Sequence, residues 1–278
     1  MDAHYIQRKS AHTNANYRIR FHMKPIAIYY FLDPLCSECW LADSLMKKLS
    51  IEYGRYIHIR PIISHIFNDC TTNLKRLTEQ PIIDLWNKYY ISISIIAASL
   101  QGNRAGRSFL RHIQQSIFFH YDDLQSANQP LLKRLITQAA RKANLDLNEF
   151  YHDIFSDSVE KAYQRDLKLK YEMDVHQYPA FVFFSHYIDD YGIKVTGIKR
   201  YETYEYILKE MLQSDSFEQY KPSLIETFQC FKTLQTEEVA FIYDYSLKEA
   251  ERQIKKLQLM QIVRKIEING FRLWEYCG

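Results

Sequence analysis

Apolar and polar positions alternate along this chain with two periods, and the places where one gives way to the other outline its elements. Ile26-Ala-Ile-Tyr-Tyr-Phe-Leu32 is a seven-residue apolar run of the kind found in a strand buried on both faces. After the chain-turning Asp33-Pro34 the spacing becomes helical, with Trp40, Leu41, Leu45 and Leu49. Ile57 and Ile59 alternate with His58 and Arg60, predicting a second strand that Pro61 confines to a sheet edge or to its own end. Helical spacing then returns through Ile82, Leu85, Trp86, Tyr89, Ile93, Ile96, Ala97 and Leu100, with Gly102 as a C-terminal stop. It resumes in Phe109-Leu110-Ile113-Ile117 and in Leu131-Leu132-Leu135-Ile136-Ala139. A last stretch, Phe150 to Ile154, follows the capping pattern Asp146-Leu-Asn-Glu149. Residues 80–174 are therefore expected to be an all-helical block.

Strand character reappears in Ala180-Phe-Val-Phe-Phe184 and Ile193-Lys-Val-Thr-Gly197, followed by a helix carrying Tyr204, Ile207, Leu208 and Met211. Beyond residue 215 the pattern changes again. Ser223-Leu-Ile-Glu226, Thr236-Glu-Glu and Ser246-Leu-Lys-Glu249 each open a short helix. Two apolar-containing runs then flank Asn269-Gly270, a dipeptide that tolerates the positive φ angles of a tight hairpin turn. Helix, helix, helix, hairpin is a winged-helix order. The expected division is a mobile tail over residues 1–24, an α/β domain over 25–215 and a winged-helix-like module over 216–278.

The chemistry sits where the first strand hands over to the first helix. Cys36-Ser37-Glu38-Cys39 occupies that junction, where unsatisfied N–H groups and the positive end of the helix favour a thiolate. This context points to a thioredoxin-like redox site, against the plainer alternative of two small residues at a helix start. The carboxylate of Glu38 is expected to raise the Cys36 pKa, giving a mild thiol rather than a strong oxidant. Pro179, directly before an apolar strand, occupies the slot of the cis-proline that faces such a cysteine pair; an ordinary trans proline opening a strand is the alternative.

Composition narrows the field. The 278 residues are 47% hydrophobic and 25% charged, enough for a substantial core and two domains. A formal charge of +3 makes no broad electrostatic case for nucleic acid or membrane. In residues 222–278 eight Lys/Arg face eight Asp/Glu, so Lys248, Arg252, Lys255 and Lys256 read as a solvated helix face rather than a phosphate-binding one. Cys70, Cys230 and Cys277 form no second close pair, and His4, His12 and His22 are widely spaced, so no metal or other cofactor is expected. Residues 1–24 show no signal-like apolar stretch, and the run from Tyr89 to Leu100 is too short to span a bilayer. A cytoplasmic protein is expected. The 22 Tyr and 16 Phe supply adhesive surface for protein partners.

Phe31-Leu-Asp-Pro-Leu-Cys-Ser-Glu-Cys-Trp40, the insertion with Leu100-Gln-Gly-Asn-Arg-Ala-Gly106 and the Pro179 strand resemble the DsbA-like, FrnE-like branch of the thioredoxin superfamily over residues 25–215. Together with Leu49-Ser-Ile-Glu-Tyr-Gly-Arg-Tyr56, Gly192-Ile-Lys-Val-Thr-Gly197 and Tyr243-Asp-Tyr-Ser-Leu-Lys-Glu-Ala250, nearly the whole chain resembles the SpxH (YjbH) adapter family. That resemblance implies a DsbA-like thioredoxin fold with a large helical insertion, followed by a winged-helix-like domain. It implies a non-enzymatic adapter that binds the transcription regulator Spx and promotes its degradation by ClpXP, linking stress to Spx level. Cys36, Cys39 and Pro179 are the redox-motif candidates. The alternative is a cytosolic thiol-disulfide oxidoreductase in which Cys36 attacks and Cys39 resolves; a winged-helix transcription factor is a third reading.

Overall fold

A computed structural model describes residues 3–7, 26–63, 85–120, 123–124, 129–185, 191–213 and 220–278. Ile82 of the predicted helix, and Cys70, His12 and His22, lie outside these residues.

The apolar run forms β2 (Ile26–Leu32), with Ile26, Ile28, Phe31 and Leu32 fully inaccessible. It lies between β3 (Ile57–Ile63), parallel, and β4 (Ala180–Ser185), antiparallel. β5 (Tyr191–Thr196) and β1 (Ala3–Gln7) complete a five-stranded sheet in the order β1-β5-β4-β2-β3. Burial on both faces explains why β2 and β4 carry continuous apolar runs; Tyr30 stacks on Phe181 at 5.0 Å between ring centroids. β3 is an edge, as Pro61 requires. β1 corrects the expectation of a mobile tail over residues 1–24. Ala3 to Gln7 pair antiparallel with β5 from Ala3↔Val195 to Gln7↔Tyr191, because an otherwise unpaired strand edge offers a ladder of donors and acceptors.

Between β2 and β3 runs α1 (Ser37–Glu52). Between β3 and β4 stand α2 (Leu85–Leu100), α3 (Asn103–Phe119), α4 (Gln129–Lys142), α5 (Leu147–Asp153) and α6 (Asp157–Glu172). Ser92 and Ser94, which interrupt the apolar surface of α2, are buried and donate to the carbonyls of Lys88 and Tyr90 four residues earlier. Gly106 of α3 lies against Ser99 so closely that a Cβ there would approach the Ser99 hydroxyl to 2.3 Å. Gly102 follows the end of α2 by two residues, its N–H donating to the Ser99 carbonyl at 3.1 Å, and also stands as the N-cap of α3 with φ 118°. After β5, α7 (Tyr201–Leu212) packs Tyr204 edge-on to Phe181.

The C-terminal module is α8 (Leu224–Phe231), β6 (Thr233–Leu234), α9 (Thr236–Tyr243), α10 (Leu247–Leu259), β7 (Val263–Ile268) and β8 (Phe271–Tyr276). Ser223 and Glu226 form the reciprocal capping box foreseen for α8, and Ser246 caps α10. Asn269 and Gly270, at φ 45° and 83°, turn the β7–β8 hairpin. A separate core forms around Phe228, Leu234, Val239, Ile254 and Trp274, and Ile51 of α1 packs against it. The element order is the helix-helix-helix-hairpin of the sequence reading, with β6 added as a third strand.

Candidate functional site

The redox constellation is assembled by the β2–α1 junction. Asp33 is fully buried and accepts from the backbone N–H of Leu35 at 2.9 Å, forming the turn that presents Cys36 as the N-cap of α1. Tyr178-Pro179 is a cis peptide, and the Pro179 carbonyl accepts from Gly197 N–H at 2.8 Å. Both cysteines are free and nearly inaccessible, Cys36 at 7% and Cys39 at 0%.

Their environments separate them chemically. A hydrogen bond from the Cys39 thiol holds Cys36 below its ordinary pKa, against the opposing effects of burial and of Asp33; the N–H groups of Cys39 and Glu38 assist. Burial pushes the Cys39 thiol well up. The expectation that Glu38 raises Cys36 is therefore corrected. It is the Glu38 backbone N–H that acts on the sulfur, and the carboxylate that opposes the thiolate is buried Asp33. Cys36 is thus the thiol of lowered pKa and Cys39 the protonated partner, so with a neutral alkylating reagent the pH midpoint for Cys36 should fall below the ordinary thiol value. Cys39 should react only after denaturation; equal reactivity of the two would contradict this geometry.

The remainder of α1 faces in a direction that its spacing did not announce. Leu41, counted among its apolar positions, is 62% exposed, whereas Lys47 and Lys48 are 4% and 3% exposed. Lys47 Nζ bonds Asp43 Oδ2 at 2.7 Å and Glu238 Oε1 of α9 at 2.6 Å. Arg111 of α3 bonds the same two carboxylates, reaching Glu238 Oε2 at 2.7 Å and Asp43 through its other terminal nitrogen. Two acids and two bases from three segments thus close one buried network. Burial alone would raise Glu238, but Arg111 and Lys47 hold its carboxyl below the ordinary value; burial would lower Arg111, which Glu238 and Asp43 raise. Glu238 also accepts from Gln235 N–H, capping its own helix.

Around this network the contacts between the two modules continue. Lys48 bonds Asp244 at 2.5 Å and the Phe241 carbonyl at 3.1 Å, and lies 4.6 Å from the Tyr201 ring centroid. Trp40, next to Cys39, stacks on Phe118 and carries the Arg111 guanidinium 4.5 Å from its ring centroid. The hairpin tip closes the junction, with Phe271 stacked on Phe119 at 4.6 Å and Asn269 Nδ2 donating to the Phe119 carbonyl at 2.8 Å.

The structure places Cys36 and Cys39 at the start of α1 and Pro179, after a cis bond, directly before β4, and adds Asp43, Lys47, Lys48, Arg111 and Glu238, which sequence reasoning missed. One signal was present. Asp43 and Lys47 are four residues apart within an apolar helix, a spacing that pairs them. Among the described residues no His/Cys/Asp/Glu group could hold a metal ion, and no helix is long and apolar enough to cross a membrane.

Comparison with known proteins places this geometry. Residues 29–206 match the family described as Thioredoxin. The ClpXP adapter protein SpxH of Bacillus cereus (strain ATCC 10987) is 34% identical over 276 residues, covering 91% of this chain and 91% of the relative. The protein of the same name from Bacillus subtilis (strain 168) is also 34% identical, covering 91% and 89%. A solved disulfide-isomerase-type structure from Nitrosomonas europaea aligns with a TM-score of 0.53 at 17% identity, over 69% of this chain and all of that one. At that identity it shows the fold alone.

Proposed function

The chain belongs to the family of ClpXP adapter proteins named SpxH, and from that premise we propose that it captures a client protein and hands it to the ClpXP protease. The client implied by the family resemblance is the transcription regulator Spx, and the cytoplasm is the compartment this reading requires. The observation that carries it is the extent of the match. The adapter relatives align over 91% of the chain, whereas the disulfide-isomerase-type neighbour covers 69% of it. What marks the adapters out from that thioredoxin-type neighbour thus includes more than the redox fold. In this chain the additional module is joined to the cysteine-bearing helix itself, through Lys47, Lys48 and Glu238.

Such an adapter accelerates proteolysis without making or breaking a bond. By holding client and protease together it replaces a bimolecular encounter with a local one, at an effective concentration set by the geometry of the complex. The C-terminal module supports protein contact rather than DNA contact. On α10 and the hairpin, Arg252 pairs with Glu249 at 2.8 Å, Lys255 with Glu251 at 3.0 Å and Arg264 with Glu275 at 2.6 Å. Cations already neutralised release few counterions from a phosphate backbone. The hairpin tip that would enter a groove is held against Phe119.

A second reading has its own support in the depressed Cys36 pKa beside a protonated Cys39: residual thiol-disulfide exchange, with Cys36 attacking and Cys39 resolving. The two readings part in one experiment. Purified Spx, ClpX, ClpP and ATP are incubated with and without the chain, and with its Cys36→Ser variant. Faster loss of Spx with both forms is expected, while insulin reduction, if present, disappears in the variant. An unaltered Spx lifetime together with no association between Spx and the chain would reject the adapter reading.

A further inference from the structure

An open cavity of about 870 Å³ lies along α1, α3, α8 and the edge strand β3, and neither cysteine of the pair lines it. Its walls follow from helix periodicity. Asp43, Met46, Lys47 and Ser50 share one face of α1, and Arg104, Arg107, Ser108 and Arg111 share one face of α3. Of these, Asp43, Lys47 and Arg111 belong to the network with Glu238, where positive charge is already balanced. Towards solvent the lining is net positive, since Arg104, Arg107, Lys142 and Lys232 are exposed there against the exposed carboxylate of Glu226, which accepts from Ser223. Arg104, Arg107 and Lys142 line the cavity, are exposed, and meet no carboxylate among the described residues.

Two further observations concern the same wall. The first turn of α3 contains no acidic residue, and its N-cap, Gly102, has no side chain to satisfy the free N–H groups. Arg111 Nε and His112 Nδ1, on cavity-lining residues only 7% and 5% exposed, have no hydrogen-bond partner among the described residues. The positive surroundings register on His112, which burial and then Lys142 and Arg111 push down to about 4. Ile57 and Ile59 of β3 and Phe231 of α8 also line the cavity and give it apolar and aromatic surface.

We propose that this cavity binds a small organic polyanion of the nucleoside di- or triphosphate class, with Arg104, Arg107 and Lys142 at its phosphates and the base against Ile57, Ile59 and Phe231. Arginine forks and free helix N–H groups match phosphate oxygens. Arg104 and Arg107, one helical turn apart, suit the concentrated charge of linked phosphates better than the dispersed carboxylates of a peptide. The volume lies within the range of small-molecule sites, and the apolar wall distinguishes the site from a simple anion hole. The site stands independently of client delivery.

Calorimetric titration of the full-length chain with ADP, inorganic pyrophosphate and adenosine, in the absence of magnesium, tests this. Saturable ADP binding is expected, weaker binding of pyrophosphate, and none of adenosine. Arg104→Glu/Arg107→Glu should weaken ADP binding by about tenfold or more, whereas Lys248→Glu, a charge reversal on exposed α10, should leave it unchanged. Lys142→Glu provides a second reversal, and the melting profile of each variant verifies that it folds. Absence of saturable ADP binding, pyrophosphate binding as tightly as ADP, or equal loss in the Lys248 variant would each overturn the proposal.

Discussion

Glu238→Ala is expected to destabilise the protein by about 3–5 kcal/mol, because it leaves Arg111 and Lys47 buried with only Asp43 between them. Three consequences of the one substitution act in the same direction. It removes two charge-assisted hydrogen bonds, strands two cations, and takes away the carboxylate that caps α9 at Gln235 N–H. Because the network is the charged part of the junction between α1, α3 and α9, the loss should appear first as loosening of the C-terminal module. Calorimetry combined with hydrogen exchange of α9 measures both effects. A cost below about 1 kcal/mol would mean that water reaches these charges and that the pairs behave like surface ones.

Replacing all four members by apolar residues of similar volume is expected to come close to neutral, since the desolvation of each charge offsets much of what its partner supplies. The contrast between the single and the fourfold change separates stability from specificity. The pH dependence follows with a definite sign. Glu238 and Asp43 have folded pKa values below their unfolded ones, so their contribution is present above about pH 4 and lost as pH falls through the folded values. His112 acts earlier in the same direction: burial and neighbouring cations lower it to about 4, so stability falls as pH drops from about 6.5 towards 4. Asp166 opposes this. Burial raises it to about 6 despite the Ile63 N–H and Arg60, so it favours the fold below about pH 4 and loses that contribution as pH rises through 6. Glu238→Gln should flatten the steep acid limb below about pH 4 and leave the slope between 4 and 6.5 in place.

Phe228→Ala carries the second large effect, about 3–5 kcal/mol from lost burial plus the cavity left behind. Phe228 is fully inaccessible at the centre of the smaller core, with Leu234, Val239, Ile254 and Trp274 around it. That core is separate from the one beneath the five-stranded sheet and belongs to a module of about 60 residues, a size at which one large side chain is a considerable share of total stability. The thermal transition is expected to split, with α8–α10 and the hairpin melting before the sheet. If client delivery depends on this module, Spx turnover should fall at the lower transition while Cys36 keeps its alkylation profile. A single, uniformly shifted transition would show instead that the junction makes the two cores one cooperative unit.

Much of the architecture could be read from local pattern. Ile26 to Leu32, Cys36 to Cys39 and Pro179 lie on the elements that spacing and turn residues assign to them, because strand and helix periods and the demands of a turn act over a few residues. Ser223 with Glu226, and Asn269 with Gly270, are local in the same sense. The misses share a different origin. β1 is a strand because β5 offers an edge 192 positions away at Ala3↔Val195, and its five residues show too little pattern to announce it. Lys47 and Lys48 look solvent-facing until Glu238 and Asp244 arrive from the other end of the chain.

The amino-acid sequence by itself determined the elements, the cysteine pair at a helix start, the proline before the central strand and the two-module order. Tertiary structure alone decided which face of α1 is buried, that Arg111 and Glu238 meet across 127 residues, and that the hairpin tip rests on Phe119. The physical reason is range. Backbone preference and hydrophobic period are short-range and repeat along the chain, whereas a buried charge is tolerable only where distant segments converge to neutralise it, and no local spacing records that convergence.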